Sequence, residues 1–449
     1  MKPRPDLPPG PYLVVGLARS GVAAALALRA RGEQVIGLDS GQPPEADSLA
    51  AAGVELHMGE GEGMPLVSRA ATVIKSPGVP ACVPVVQHAL ALGKCVIGEL
   101  ELAWRMLPNE FIAVTGTNGK TTTVELIGHI HRHAGVEAVV AGNVGLALSA
   151  LVGEIGEEVT IVCEASSFQL EDTLAFSPEA AVLLNLSPDH LDRHHTLEAY
   201  EAAKLQAFAR QEARDVAVVP AGFRIGDLPG KATRVSFGVE PQAQLLERPD
   251  GMLCWEGQPL IAAGEISLRG RHNLENAMAA AAVCLARGVE ADGVRAGLRS
   301  FAGVPHRLEE VASKQGVLFV NDSKATNVAS TLVALAAMVE QSRGEAPKVH
   351  LILGGQGKGQ DFSALAPAVA SGCRAVYLIG QDSPAIAAVI RDTGVQVREC
   401  DELERAVAAA SAAAVEGEIV LLSPGCASFD QFRDFEARGE RFRELVLGL

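Results

Sequence analysis

The apolar runs of this chain are continuous rather than alternating, and that limits the fold more than any other feature. "YLVVGL", "QVIGLD", "ATVIKS" and "KCVIGE" come first. "FIAVTG", "VTIVCEAS" and "AAVLLNL" follow, then "VLFVND", "VHLILGG", "AVYLIG" and "EIVLLSPG". A strand apolar at every position has both faces buried, the condition of a parallel sheet covered on two sides by helices. Alanine- and leucine-rich helical stretches separate the runs. The expected class is therefore α/β. A chain of 449 residues exceeds one ordinary core. Proline and polar residues interrupt the pattern in "ELAWRMLPNEF" and "RSFAGVPHRLE". These breaks give three units, 1–108, 109–303 and 304–449. Short strands broken by Gly, Pro and charges between 214 and 270 read as a small antiparallel insertion in the second unit.

Composition removes several classes of function. The net charge of −16 argues against nucleic acid or an anionic membrane as a partner, because both need a basic footprint. Any polyphosphate must then be gripped locally, by backbone N–H groups, lysines and metal. The eight cysteines form no C-x-x-C pair and mostly sit among apolar residues, as reduced thiols of the cytosol do. The start, MKPRPDLPPG, lacks the apolar core of a signal peptide, and the longest uncharged stretch, Ser76 to Gly93, holds three prolines. A cytoplasmic protein without membrane insertion is expected.

Two turns have the form of phosphate cradles. The first, Gly16-Leu-Ala-Arg-Ser-Gly21, joins a strand to a helix, and Asp39 ends the next strand. A dinucleotide fingerprint would have glycine where Ala18 stands, so this turn suits either a nucleotide at a helix N-terminus or no ligand. The second, Thr115-Gly116-Thr117-Asn118-Gly119-Lys120-Thr121, keeps G-x-x-G-K-T, although Val114 replaces the first Walker A glycine. Gly116 and Gly119 let the loop curl, Lys120 brings a charge to the β/γ-phosphates, and the Thr121 hydroxyl can ligate Mg²⁺.

Charged residues at other strand ends could complete such a site. Glu164 ends a buried strand, as a Mg²⁺-holding carboxylate does near a phosphate loop. Asp189, His190 and Asp192 follow the strand "AAVLLNL", where His190 is either a surface histidine or a ligand. Lys204, one turn beyond Tyr200, reads by itself as a solvated helix lysine. In the third unit, "FVNDSKATN" carries Asp322, Lys324, Thr326 and Asn327, "LILGGQGKGQDF" carries Lys358, and "LLSPGCASFDQFRDFEARG" closes a third strand. Three such loops line one sheet edge and suit a ligand bearing a carboxylate.

Taken together these stretches resemble the Mur ligases. "TGTNGKTT", "EASSFQLE", "SPDHLDRH", "AAKLQ", "GRHNLENA", "PHRLE", "NDSKATN", "GGQGKGQDF" and "SPGCASFDQFRDFEARG" occur in the family's order. The last three match the member that adds D-glutamate. The resemblance implies a Rossmann-like N-terminal domain for a UDP group, a central P-loop ATPase domain, and a C-terminal Rossmann-like domain for an incoming amino acid. It implies that Arg19, Ser20, Asp39, Ser40 and Ser76 meet the uridine nucleotide, with Asn143 and His190 nearer the sugar. It gives Gly116, Thr117, Asn118, Gly119, Lys120, Thr121, Thr122 and Thr123 to ATP, joined by Asn276, Arg307, Asp322 and Lys324. Thr121, Glu164, His190 and Lys204 fall on its Mg²⁺ positions, for two ions, and Lys204 matches a lysine that is carbamylated in the family. Thr326, Lys358, Ser428 and Phe435 fall on its D-glutamate pocket. Where relatives often have leucine and glycine, this chain has Ala165 and Ala18.

The implied activity is ATP-dependent amide formation between UDP-N-acetylmuramoyl-L-alanine and D-glutamate through an acyl phosphate, in peptidoglycan synthesis, by a monomer. Lys120, His190, Lys204 and Lys324 are its expected catalytic residues. A related ligase with another amino-acid acceptor is the alternative within the family. A nicotinamide-dependent dehydrogenase built on the first turn and a P-loop switch without a small acceptor are the alternatives outside it.

Overall fold

The computed structural model describes residues 2–59, 63–223, 228–268, 270–341, 349–357 and 359–449. Lys358 and the side chain of Asp192 therefore lie outside the described residues. The chain forms two compact units, residues 1–301 and 302–449. The first unit holds two sheets and the second holds one.

The first sheet contains β1 (Tyr12–Val15), β2 (Val35–Asp39), β3 (Glu55–Met58), β4 (Thr72–Lys75) and β5 (Cys95–Gly98). Its order is β3-β2-β1-β4-β5 and every pairing is parallel. Strand order reverses between β1 and β4, and the crevice beyond the carboxyl ends at such a reversal is where open α/β sheets take ligands. The turn after β1 and the turn after β4 meet there.

The second sheet contains β6 (Phe111–Thr115), β7 (Ala138–Gly142), β8 (Thr160–Glu164), β9 (Ala180–Leu183), β10 (Val216–Pro220), β11 (Thr233–Gly238), β12 (Leu245–Glu247), β13 (Met252–Trp255) and β14 (Gln258–Ala262). The order is β14-β13-β12-β11-β10-β9-β6-β8-β7. All of β6, β8 and β9 is buried, as the unbroken apolar runs require. The antiparallel insertion expected between 214 and 270 needs correction. β10, β11 and β12 continue the sheet in parallel, and only β12–β13–β14 pair antiparallel. The reason is local. "VAVVP" is a buried strand of the earlier kind, whereas Asp250-Gly251, with Gly251 at φ 78°, makes the tight turn that reverses the chain.

The two sheets of this unit share a deeply packed seam. Helix Glu99–Met106 follows β5, and its first six residues are all buried. Glu101 is fully buried there and accepts N–H bonds from Leu174, Ala175 and Phe176 at 2.8–3.1 Å, with Arg105 Nε at 2.8 Å. Lys75, at the end of β4, is fully buried and pairs with Asp172 at 2.7 Å. Arg193 donates to the carbonyls of Pro77 and Val79 and to Glu171, and lies over the Phe168 ring.

In the second unit, β15 (Glu309–Lys314), β16 (Val317–Asn321), β17 (Val349–Gly354), β18 (Cys373–Ile379), β19 (Gln396–Asp401) and β20 (Ile419–Leu422) form a sheet of order β15-β16-β20-β17-β18-β19. Only β15 runs antiparallel. The loops after β16, β17 and β20, neighbours at the centre of this sheet, therefore open on one edge. Among the described residues, no helix is long and apolar enough to cross a membrane.

Candidate active site

At the first turn, Gly16 takes φ 86° and a side chain on Gly21 would strike the Gly16 carbonyl, so the helix can begin this close to the strand only with glycine at 21. Asp39 accepts from Leu17 N at 2.5 Å and from Gly41 N at 2.8 Å. Ser76 donates to the Gly16 carbonyl at 2.6 Å across the β1–β4 crevice. Arg19 opens the helix and reaches the Asn143 carbonyl at 3.2 Å, which links this turn to the second sheet. Ser20 lies beside Arg19 in the first helical turn, and Ser40 is exposed after Asp39. Asp39 and Ser76 are thus both tied to the turn after β1, at one crevice.

The second turn lies between β6 and helix Lys120–His133. Gly116 has φ 148° and Gly119 has φ 85°. A β-carbon on Gly119 would come within 2.1 Å of Asn276 Oδ1, which places Asn276 against the loop. Asn185, just past β9, clamps the loop from the other side. Its Oδ1 accepts from Asn118 N at 2.9 Å and its Nδ2 donates to the Asn118 carbonyl at 3.1 Å. Thr117 Oγ1 donates to the Ser187 carbonyl and accepts from the Tyr200 hydroxyl, both at 3.1 Å. Neither Asn185 nor Tyr200 was singled out from the sequence. A polar residue at the end of the strand beside β6 was the available signal for Asn185.

Lys120 curls back to the carbonyls of Gly116 and Thr117, at 3.0 and 2.8 Å. Its ammonium is thereby held over the cradle. Thr121 Oγ1 donates to Glu164 Oε2 at 2.7 Å, and Glu164 Oε1 accepts from Asn143 Nδ2 at 2.9 Å. Thr122 is half-buried, and the Thr123 hydroxyl is engaged with the Gly119 carbonyl inside the helix. A hydroxyl and a carboxylate side by side at the helix start form the hard oxygen set that Mg²⁺ takes.

Lys204 is 2% exposed, so it is no solvated helix lysine. Its Nζ donates to the Gly116 carbonyl at 2.8 Å and sits 4.5 Å from the Tyr200 ring centre. Burial, and then the nearby Lys120 charge, pull the ammonium down to about 7. His190 lies beside this cluster, its ring centre 6.5 Å from that of Tyr200. It takes φ 51°, lies 3.5 Å from Asp189, and packs on the Phe168 ring at 4.8 Å between centres. No group of three or more His, Cys, Asp and Glu side chains among the described residues is arranged to hold a metal. Thr121 and Glu164 thus fit one Mg²⁺, and the Glu164 and Asp189 charges act on Lys204 beside them.

The second unit is described by itself. Asp322, straight after β16, is pushed up to about 7 by burial, against the opposing pull of its hydrogen bonds and the Arg307 charge. It accepts from Ser423 Oγ at 2.8 Å and Leu308 N at 3.2 Å. Lys324 N donates to the His306 carbonyl at 3.0 Å, so the "PHRLE" turn braces the "NDSK" turn. Lys324 Nζ lies 3.8 Å from the centre of the Phe435 ring. Thr326 is half-buried in the same loop, and Ser428 is buried in the loop after β20. Lys324, Thr326, Ser428 and Phe435 therefore belong to one edge, while Asn276 belongs to the first unit.

Comparison with known proteins covers the whole of this architecture. Residues 11–98 match the MurD-like N-terminal domain of Mur ligases, residues 114–284 the Mur ligase middle domain, and residues 306–426 the Mur ligase glutamate ligase domain. A UDP-N-acetylmuramoylalanine--D-glutamate ligase of Pelotomaculum thermopropionicum is 41% identical over 97% of this chain and 97% of its own length. One from Anaeromyxobacter dehalogenans is 42% identical over 98% of each chain. Among solved structures, the UDP-N-acetylmuramate-alanine ligase MurC of Thermotoga maritima aligns with TM-score 0.58 at 19% identity, over 98% of this chain and 100% of that one. The MurF ligase of Thermotoga maritima, solved in complex with ADP, aligns with TM-score 0.56 at 18% identity, over 92% and 94%.

Proposed function

The chain belongs to the Mur ligase family, and from that premise we propose that it joins D-glutamate to UDP-N-acetylmuramoyl-L-alanine at the expense of ATP, in peptidoglycan synthesis. Relatives named for this reaction match nearly end to end. The observation that carries the chemistry is the cradle after β6, where Lys120, Thr121, Glu164 and the buried amine of Lys204 converge on one glycine-rich loop.

A carboxylate does not acylate an amine, because its oxygen is a poor leaving group. In the first step a carboxylate oxygen of the L-alanyl end attacks the γ-phosphorus of ATP. The bond from that phosphorus to the β,γ-bridging oxygen breaks, ADP leaves, and an acyl phosphate remains. In the second step the neutral amine of D-glutamate attacks the acyl carbon. The C–O bond to phosphate breaks, phosphate leaves with the electron pair, and the amine gives up a proton. Lys120 offsets the charge of the moving phosphoryl group. Thr121 and Glu164 would hold Mg²⁺, which when bound neutralises phosphate charge. The β1–β4 crevice, with Arg19, Asp39 and Ser76, takes the uridine nucleotide, and Asn143 links that crevice to Glu164. Lys324, Thr326, Ser428 and Phe435 receive the amino acid.

Lys204 acts as its carbamate in this reading. Only a neutral amine adds CO₂, and burial leaves about half of Lys204 neutral at pH 7. The product is an anion on a long arm, suited to a second Mg²⁺ together with His190. The ligase reading is tested by phosphate release from ATP with each substrate alone and with both. Release that requires the UDP-sugar and D-glutamate together is expected. Release independent of D-glutamate, or equal with other amino acids, overturns it.

A further inference from the structure

Arg438 is the largest charged side chain sealed inside the second unit, at 1% exposure. It lies on helix Phe435–Leu447, one turn past Phe435. Its guanidinium touches all three loops of the acceptor edge. Nε donates to Ser323 Oγ at 3.0 Å and Nη2 to the Ser323 carbonyl at 2.9 Å, in the loop after β16. Nη2 also donates to the Cys426 carbonyl at 3.1 Å, two residues before Ser428 in the loop after β20. Nη1 points at Gly355, after β17, where an added β-carbon would lie 3.3 Å away. Ser323 Oγ in turn donates to the Phe435 carbonyl at 2.8 Å.

Every one of these partners is neutral. Among the described residues no carboxylate lies within ion-pair distance of Arg438; Asp430 acts on it from farther off, burial outweighs that pull and lowers the guanidinium to about 10, and Nη1 is a buried donor without a hydrogen-bond partner. A buried cation with no carboxylate in direct contact is costly. Loop stitching alone does not need the charge, because an amide or hydroxyl donor reaches carbonyls as well. Nor does fold stability favour it, since an apolar residue of the same volume avoids the desolvation. A charge retained under three loops makes the surface above them positive, and an anion seated there is what balances it.

We propose that Arg438 is a positioning residue whose buried positive charge is balanced by a carboxylate of the bound amino-acid acceptor, so that it makes the site demand an anionic acceptor. This rests on the reading of that edge as the D-glutamate site. Arg438 acts through the loops and field, not by contact, because Nη1 and its neighbours are closed off from solvent.

The test uses the full-length enzyme with ATP, UDP-N-acetylmuramoyl-L-alanine and either D-glutamate or its neutral isostere D-glutamine. R438Q is expected to raise KM for D-glutamate roughly tenfold or more, while KM for ATP and for the UDP-sugar stays within about twofold. The preference for D-glutamate over D-glutamine should shrink by the same factor. R438K keeps the charge and loses the fork, and should recover most of the D-glutamate affinity. An unchanged D-glutamate KM in R438Q overturns the proposal, as does a parallel rise in all three KM values. Should R438Q fail to fold, R438K decides: a D-glutamate KM near wild type supports the charge, and one raised selectively by tenfold or more refutes it. Wild-type enzyme inactive with D-glutamate would instead sink the ligase reading, before any variant is made.

Discussion

Lys204 offers the sharpest quantitative test. Its side chain is buried against the phosphate loop, and its ammonium is held at about 7 rather than 10.5. At pH 7.5 a lysine of ordinary pKa is neutral to about 0.1%, while one at about 7 is neutral to about 75%, a gain of several hundredfold in the form that adds CO₂. Holding the ammonium at about 7 reflects about 4–5 kcal/mol of unfavourable desolvation at neutral pH. For a base with a depressed folded pKa, the stabilising contribution is complete above about 10.5 and lost as pH falls through about 7. Carbamylation removes the ammonium but puts an anion near Glu164, so the modified form should need a divalent cation. Wild-type enzyme incubated with ¹³C-labelled bicarbonate and Mg²⁺ at pH 7.5 should show one carbamate carbon resonance by NMR. Lys204→Ala should lack it and lose activity, with partial recovery on adding a short-chain carboxylate. A spectrum that does not differ between wild type and Lys204→Ala, or a Lys204→Ala enzyme with wild-type turnover, refutes the reasoning.

Lys120→Ala should cut turnover by about 10²–10³-fold with an unchanged melting temperature, measured by phosphate release and calorimetry. Gly119→Ala places a methyl group into Asn276 at a left-handed backbone position, so ATP binding should weaken and stability fall by about 1–2 kcal/mol, read by titration calorimetry and denaturant melts. Asp322 has a folded pKa raised to about 7, so its stabilising contribution is complete below about 3.9 and lost as pH rises through about 7. Urea midpoints of wild type should therefore fall between pH 5 and pH 8 by more than those of Asp322→Asn, and equal slopes would discount the burial argument. Lys75→Met leaves Asp172 without its buried partner and should cost about 3–5 kcal/mol, seen as a lower urea midpoint.

Much of this was legible because buried parallel strands announce themselves as unbroken apolar runs. "FIAVT" and "IVLL" are strands buried at every position. Loop chemistry was legible where a small set of residue types serves one ligand, as in the turn from Thr115 to Thr121. Legibility failed where a residue acts by what surrounds it. Nothing in "EAAKLQ" says that Lys204 is sealed from water, since burial comes from segments far apart in sequence. Nor does "SPDHLDRH" show that His190 takes a left-handed backbone and packs on Phe168. Asn185 and Arg438 gave no spacing signal, because each reaches its partners across loops that only the fold brings together. "RVSFG" read as antiparallel because its glycine and polar neighbours resemble hairpin strands, but β11 pairs parallel to β10.

The stretch from Glu99 to Met106 passes in sequence for a tether between modules, yet it is one of the most enclosed helices of the protein. Cutting the gene behind it would strip Glu101 of its three amide donors and bare Trp104, so residues 1–108 made alone should emerge sticky rather than as an autonomous nucleotide binder. Whichever sugar nucleotide that front module accepts, it does so while packed through this helix against the sheet that carries the phosphate loop.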